Sequence, residues 1–327
     1  MARRPDLEPA AVEALLSRVF GTSTPLAYHR TPDGVSTQVY RVMRGGETFY
    51  LRVAEEADEN LETDAELHRR LHDAGVKVAR VVHVEAFHTP IGRSVMVTTE
   101  VPGRSLADRP APVAIAESVV REAGADLAVV NQQPVDGFGW VRRHGPGWPL
   151  RAEYPAFDPF LTSYLPEPWP GPLTSLFPAP ALHAIEEIVE QQRQRPPARA
   201  HLAHGDFDLT QIFHRAGRYR GLIDFGEIRG TEPLFDLGHF HLHDQDTVPA
   251  RLLPALLAGY QQVRPLPADH EQSIRHSAVL LGLRQLCRWL GPTHGRGPEH
   301  PALRQRASRI SELLADPAST GGSPRPR

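Results

Sequence analysis

The chain has 327 residues, 40% of them apolar, enough for one large core or two smaller ones, and a formal net charge of −3. That balance gives no basic field for nucleic acid, and no apolar run approaches a membrane span. One cysteine, Cys287, rules out an internal disulfide and fits a cytoplasmic home, with the thiol read as a small buried hydrophobe on a helix.

Lys77 is the one lysine among 36 Lys and Arg residues, so no Gly-Lys-Ser/Thr phosphate loop exists and that nucleotide-binding class is excluded. The two asparagines, Asn60 and Asn131, both stand far along the chain from residue 206. Arginine for lysine and glutamine for asparagine therefore read as a bias of the whole chain. The basic residues near the N-terminus are followed at once by acidic ones, with no apolar run of the kind a secretory signal needs.

Residues 6–20 read as an amphipathic helix with Leu7, Val12, Leu15, Leu16 and Val19 near one face and Pro9 tolerated in the first turn. Residues 34–42 are a small, flexible turn running into a β-branched strand. Gly45-Gly46 marks a hairpin, and residues 48–53 form its second strand. A glycine-containing turn of this kind lets backbone N–H groups approach phosphate oxygens, although the pattern alone is that of an ordinary hairpin. Residues 59–74 are a helix with Leu61, Ala65, Leu67 and Leu71 inward, ended by Gly75. Residues 76–85 and 94–101 complete a small sheet, joined by the turn 90–93.

Residues 113–131 form a long apolar-periodic helix, followed by a turn at 135–140. From 145 to 180 the chain is rich in Pro, Trp and Phe and cannot be one helix. It is either a cap that shapes the acceptor pocket or a surface excursion that packs its aromatics on the lobe, and the cap is preferred because loops carry specificity. Residues 181–194 are again helical.

Residues 201–238 then bring together the groups with chemistry. Two apolar runs, Ile212-Phe213 and Gly221-Leu222-Ile223, flank the turn Ala216-Gly217-Arg218 and predict a hairpin. Gln211 stands five residues after Asp206, and Asp224 eighteen after it. A hairpin of that length folds Asp224 back beside Asp206. Phosphoryl transfer needs one carboxylate to orient a hydroxyl and two oxygen ligands for magnesium on the nucleotide phosphates. Asp206, Gln211 and Asp224-Phe225-Gly226 fall in the order of the protein-kinase signature, with Gln in the place of Asn. Beyond them His239, His241 and His243, with Asp244 and Asp246, read as polar helix residues rather than a zinc site. Residues 249–263, 269–290 and 301–314 are further helices.

The run HGDFDLTQIF followed by LIDFGEIRGTEPLFDLG resembles the aminoglycoside phosphotransferase family, small-molecule kinases of the protein-kinase-like fold. The resemblance spans roughly residues 34–238. It implies an α+β, two-lobed fold: a small N-terminal antiparallel sheet plus helix over residues 1–101 and a mainly helical lobe over 102–316; the composition of the remainder, 317–327, reads as a disordered tail. It implies that Asp206 is catalytic and that Gln211 and Asp224 hold Mg2+. Gly34, Ser36 and Thr37 would approach the phosphates of ATP or GTP. Arg52 would take the place of the phosphate-pairing lysine, with Asp64 as its partner in preference to Glu62 or Glu66. The backbone at Thr99 and Val101 would meet the adenine edge. His204 would brace the loop and Asp236 would bond its backbone. Asp208, Glu227 and Glu232 either face a cationic acceptor or lie plainly in solvent.

The implied activity is phosphoryl transfer to a hydroxyl of a small molecule, an aminoglycoside or other antibiotic. The alternatives are a metabolite such as a sugar, amino alcohol or nucleoside, and a nucleotide-binding pseudokinase with a regulatory role. The implied partners are a nucleotide and a small acceptor, with no nucleic acid and no membrane, in a monomer or weak dimer.

Overall fold

The computed structural model describes residues 4–315 apart from 24, 32–37, 109–110, 146, 166–168 and 292–293. The expectations for Gly34, Ser36, Thr37 and the tail 317–327 lie outside the described residues.

The N-terminal lobe runs α1 (Pro9–Phe20), β1 (Leu26–Arg30), β2 (Gln38–Arg44), β3 (Glu47–Val53), α2 (Glu62–Asp73), β4 (Val81–His88) and β5 (Arg93–Thr99). The five strands form one antiparallel sheet in the order β1-β2-β3-β5-β4. Period-2 alternation sets its faces. Phe49, Leu51 and Val53 of β3 pack with Val12, Leu15 and Leu16 of α1 in one apolar cluster, while Thr48, Tyr50 and Arg52 point to the other face. Pro9 sits in the first turn of α1, where its missing N–H costs nothing. Gly75, at φ +86°, follows the end of α2.

The edge strand β1 was not expected from the pattern, and β4 begins at Val81 rather than 76. The reason for the second difference is backbone demand. Lys77 donates its N–H to Asp126 and accepts from Leu222 N at 2.9 Å, so this segment spends its hydrogen bonds on the other lobe. Leu67, Leu71, Val76 and Val78 accordingly join the core of the large lobe.

That lobe contains β6 (Arg104–Ser105), α3 (Val113–Val130), β7 (Val135–Asp136), β8 (Phe138–Val141), β9 (Leu150–Tyr154), α4 (Phe157–Thr162), α5 (Ala179–Gln194) and β10 (His201–Ala203). It continues with β11 (Ile212–Arg215), β12 (Arg218–Leu222), β13 (Arg229–Thr231), α6 (Phe235–His243), α7 (Leu253–Tyr260), α8 (His270–Leu290) and α9 (Pro301–Ala315). Its strands are short and form two small sheets, β10-β13-β8-β9-β7 and β12-β11-β6, so the lobe is mainly helical as expected. The Pro-rich region supplies β9 and α4, and Phe157 and Phe160 of α4 are buried in the core, not held over an opening. Helix α7 starts at Leu253 rather than 249 because the buried Asp244 carboxylate takes the N–H groups of Leu252 and Leu253. Cys287 is buried on α8. Among the described residues no helix is long and apolar enough to cross a membrane.

Candidate active site

The β11–β12 hairpin builds the site. Its turn places Ala216 at φ 51° and Gly217 at φ 75°, the left-handed pair that matches the twist of a tight hairpin. Ile212 pairs with Leu222, and Ile223 N donates to the Gln211 carbonyl at 3.2 Å. Gln211 at the head of one strand and Asp224 at the foot of the other are thus neighbours. Gln211 Nε2 in turn donates to Asp206 Oδ2 at 3.4 Å. The three residues predicted from spacing meet at the hairpin base.

The loop carrying Asp206 is held from below. Asp236, fully buried on the first turn of α6, accepts from His204 N at 2.8 Å and Gly205 N at 2.9 Å. It also accepts from Asn131 Nδ2 at 2.7 Å, and Tyr260 OH supports Asn131 at 3.2 Å. Asn131, remote in sequence, therefore belongs to the base of the loop, a role its position gave no signal for. Gly205, at φ +92°, is obligatory: a Cβ there would lie 1.9 Å from the Glu227 carbonyl oxygen. His204 is buried and its Nε2 donates to the Ile223 carbonyl at 2.8 Å, which makes it the brace expected.

Asp224 lies in the left-handed region at φ 61° and accepts from Gly226 N at 3.4 Å. Non-glycine residues are costly there, roughly 1–3 kcal/mol, and such strain clusters at functional turns. Phe225 anchors the turn. Its buried ring meets His68 of α2 at 5.2 Å and His204 at 4.7 Å between centroids.

Arg52, on the open face of β3, donates through Nη1 to Asp64 Oδ1 at 3.2 Å. The two neighbouring acids are engaged elsewhere: Glu62 with Asn60, and Glu66 with Arg70. Asp64 is fully buried and also takes a two-point contact from Arg143, a residue the sequence did not point to. Burial alone would raise its carboxyl, but the charges of Arg143 and then Arg52 outweigh it and hold the pKa below the usual carboxylate range.

At the hinge after β5, Thr99 N donates to the Arg80 carbonyl at 2.9 Å, and Glu100 N to Thr48. Among the described residues Val101 N makes no backbone hydrogen bond, so of the two predicted positions it is the one with an N–H to offer a base edge. A cavity of about 650 Å³ opens beside the hinge between Thr48, Lys77, Thr99 and Arg220, but it includes none of Arg52, Asp206, Gln211 or Asp224.

The electrostatics around Asp206 are those of an acid cluster. Burial, followed by the charges of Asp208, Glu227 and Asp224, raises its carboxyl to about 7, with Arg229 opposing. Asp208 Oδ1 accepts from Thr210 N at 2.7 Å, and half-exposed Glu227 pairs with Arg229 at 2.8 Å. Glu232 does not lie in solvent. It is buried 3.8 Å from Arg284, which stacks over Phe160. His239 and His243 turn to the Phe207 carbonyl and Asp246, in keeping with polar helix residues.

Asp224 and the Gln211 amide oxygen are hard donors of the kind magnesium takes. No group of three or more His, Cys, Asp or Glu among the described residues could hold a metal unaided. A divalent ion here would complete its shell with phosphate and water oxygens, as kinase-type sites do. The repulsion from Asp208, Glu227 and Asp224 that adds to burial in raising Asp206 is the field such an ion would relieve.

This geometry, two lobes joined at a hinge with a carboxylate loop and a strained Asp-Phe-Gly turn beneath, defines a kinase-like fold. The family model of the phosphotransferase enzymes, APH, matches residues 28–275, and the chain belongs to that family. The match extends beyond both ends of the 34–238 stretch that carried the sequence resemblance.

Solved structures agree on the fold. A thermostable mutant of aminoglycoside phosphotransferase APH(4)-Ia, in ternary complex with ADP and hygromycin B, is 16% identical with TM-score 0.66, covering 96% of this chain and 100% of that one. The amicoumacin kinase hAmiN, with AMP-PNP, Ca2+ and Ami, is 15% identical with TM-score 0.60, covering 93% of each chain. A Thermobifida fusca YX-ER1 protein assigned as a fructosamine-3-kinase is 16% identical with TM-score 0.58, covering 92% of this chain and 98% of that one. No curated protein sequence matches the chain.

Proposed function

We propose that this protein transfers the γ-phosphoryl group of ATP, or GTP, to a hydroxyl of a small molecule. The observation that carries the reading is the convergence of Asp206, Gln211 and Asp224 at the base of one hairpin, on a loop fixed by Asp236. In this reading Asp206 orients the acceptor hydroxyl and takes its proton. Arg52 steadies the α- and β-phosphates from above, and the N–H of Val101 receives the adenine edge. Asp224 and Gln211 would hold magnesium, which supplies charge neutralisation on the phosphates when bound. The lobes divide at about residue 101, with the nucleotide beneath the small sheet and the acceptor against the large lobe.

An acceptor bearing an amino group is favoured over a neutral sugar. Asp208 and Glu227 raise the pKa of Asp206 and give this side of the loop a negative field that a cation would relieve. Hygromycin B and amicoumacin, named with similar folds, make antibiotics the first acceptors to try. Retention of both carboxylates favours turnover over a regulatory pseudokinase.

The test is ATP and GTP turnover with magnesium across aminoglycosides, amicoumacin-type compounds, macrolides, fructosamines and simple hydroxylated metabolites. Acceptor-dependent ADP or GDP release is expected, strongest with an amine-bearing acceptor. No binding of either nucleotide by the folded protein would defeat the reading.

A further inference from the structure

The notable cation of the site is Arg143, on the segment between β8 and β9 in the large lobe. Its Nε donates to Asp64 Oδ2 at 2.8 Å and its Nη2 to Asp64 Oδ1 at 3.1 Å, a fork on both oxygens of a carboxylate with no exposed surface. The same Nη2 reaches the carbonyls of Gly226, at 3.0 Å, and Phe225, at 3.4 Å. The Arg143 carbonyl accepts from Asn60 N at 2.7 Å, just ahead of α2. One residue thus ties α2 to the Asp224 turn across the lobes.

Arg52 is left with a single contact to Asp64, from Nη1. Its Nη2 lies 3.6 Å from the position a Cβ would take on Gly226, at the mouth of the Asp224 turn. Its side chain keeps a fifth of its surface open, whereas that of Asp64 has none. A buried carboxylate deprived of one fork draws in the nearest other cation, because an unpaired buried charge is strongly unfavourable. Without Arg143 that cation is Arg52.

We propose that Arg143 is a positioning residue for phosphoryl transfer: by saturating Asp64 it leaves the Arg52 guanidinium free to face the nucleotide phosphates. The inference rests on the phosphotransferase reading above. Arginine at 52 could otherwise form its own fork on Asp64, an option a lysine lacks. Arg143 removes that option by holding Oδ2 and sharing Oδ1, so that Arg52 keeps one bond to Asp64.

The test is titration of AMP-PNP with magnesium, and separately of adenosine, into the full-length protein and its variants, with melting curves alongside. Arg143→Gln should weaken AMP-PNP about tenfold or more, the size of a lost charge-assisted contact, and leave adenosine within twofold. Adding Asp64→Asn to Arg143→Gln should recover most of the lost AMP-PNP affinity, because nothing then pulls Arg52 away. Should Arg143→Gln fail to fold, Arg143→Lys keeps the charge without the fork and should show a smaller loss confined to AMP-PNP. Equal losses for both ligands, or no recovery in the double variant, would reduce Arg143 to a structural tether and overturn the inference. So would wild-type affinity in Arg143→Gln. A wild-type protein that binds neither ligand would instead bring down the phosphotransferase reading, and the inference with it.

Discussion

Oδ1 of Asp206 lies 3.4 Å from Nε2 of His239, a nitrogen that carries a lone pair because Nδ1 donates to the Phe207 carbonyl at 3.1 Å. Burial first, and then the neighbouring His243, holds the His239 imidazole neutral, with its pKa well below the ordinary value. A protonated Asp206 can bond to that nitrogen, whereas an ionised one meets it lone pair to lone pair. With the Asp206 pKa raised to about 7 in the free enzyme, kcat/KM for the nucleotide should rise with pH through about 7 and flatten above it, while kcat at saturating magnesium nucleotide should rise at lower pH. A profile flat from pH 6 to 8 would show that another group takes the proton.

The same shift makes a statement about stability. The folded-state pKa of Asp206 is raised above its ordinary value of 3.8, so the folded protein holds a proton that the unfolded chain has released. That contribution is full below about pH 4 and is lost as pH rises through about 7. Asp206→Asn should therefore raise the melting temperature more at pH 8 than at pH 5, with magnesium chelated. The gain should be modest, because nearly half of the Asp206 side chain remains exposed. The variant should bind nucleotide and transfer no phosphoryl group. A larger gain at pH 5 than at pH 8 would contradict the raised pKa.

Asp236→Ala removes the acceptor of three hydrogen bonds and strands the N–H groups of His204, Gly205 and Asn131 in the core. Unsatisfied buried donors cost about 1–3 kcal/mol each, relieved in part where water enters. A loss of about 3 kcal/mol and a fall in kcat larger than any rise in nucleotide KM are expected. Asn131→Ala should lose less, and the two losses should fail to add because they share one bond. Denaturant midpoints and steady-state kinetics on the four proteins of the cycle decide this. Strict additivity would separate Asn131 from the loop.

The hairpin that builds the site is legible in the sequence. The turn at 216–218 and the apolar runs on either side of it define the hairpin, and its length folds Asp224 back toward Asp206, with Ile223 N bonded to the Gln211 carbonyl. Arg52 meets Asp64 and not Glu62 or Glu66, since of these three acids α2 turns only Asp64 into the buried face. The roles of Arg143 and Asn131, and the approach of His239 to Asp206, have no signal in the sequence because each side chain arrives from a distant element through long-range packing. Glu232 was misread because a partner 52 positions away, Arg284, makes burial tolerable. The late start of β4 was hidden likewise, since apolar alternation does not reveal which lobe takes the backbone bonds of residues 76–80.

Gly205→Ala tests the loop by shape alone. The added methyl would meet the Glu227 carbonyl oxygen at 1.9 Å and force an alanine to φ +92°. Backbone cannot yield there without moving Asp206 or the Asp224 turn. A cost of about 2 kcal/mol or more is expected, with phosphoryl transfer reduced at least a hundredfold while circular dichroism still reports the native fold. Near-normal turnover would mean that the 204–206 turn relaxes freely and that its geometry is not what positions the carboxylate.

Gln211 tests the metal. Its amide nitrogen donates to Asp206, and its amide oxygen is the one uncharged protein ligand proposed for magnesium beside Asp224. Gln211→Ala should raise the magnesium concentration for half-maximal turnover by about tenfold, and Asp224→Ala should abolish turnover at any magnesium level. Gln211→Asn shortens the reach by one methylene, so it should fall between wild type and Gln211→Ala in magnesium demand. Gln211→Ala also removes the contact to Asp206 Oδ2. A rise in magnesium demand with little change in kcat at saturation therefore marks a ligand, whereas a loss of kcat that magnesium does not rescue marks a residue that only orients Asp206.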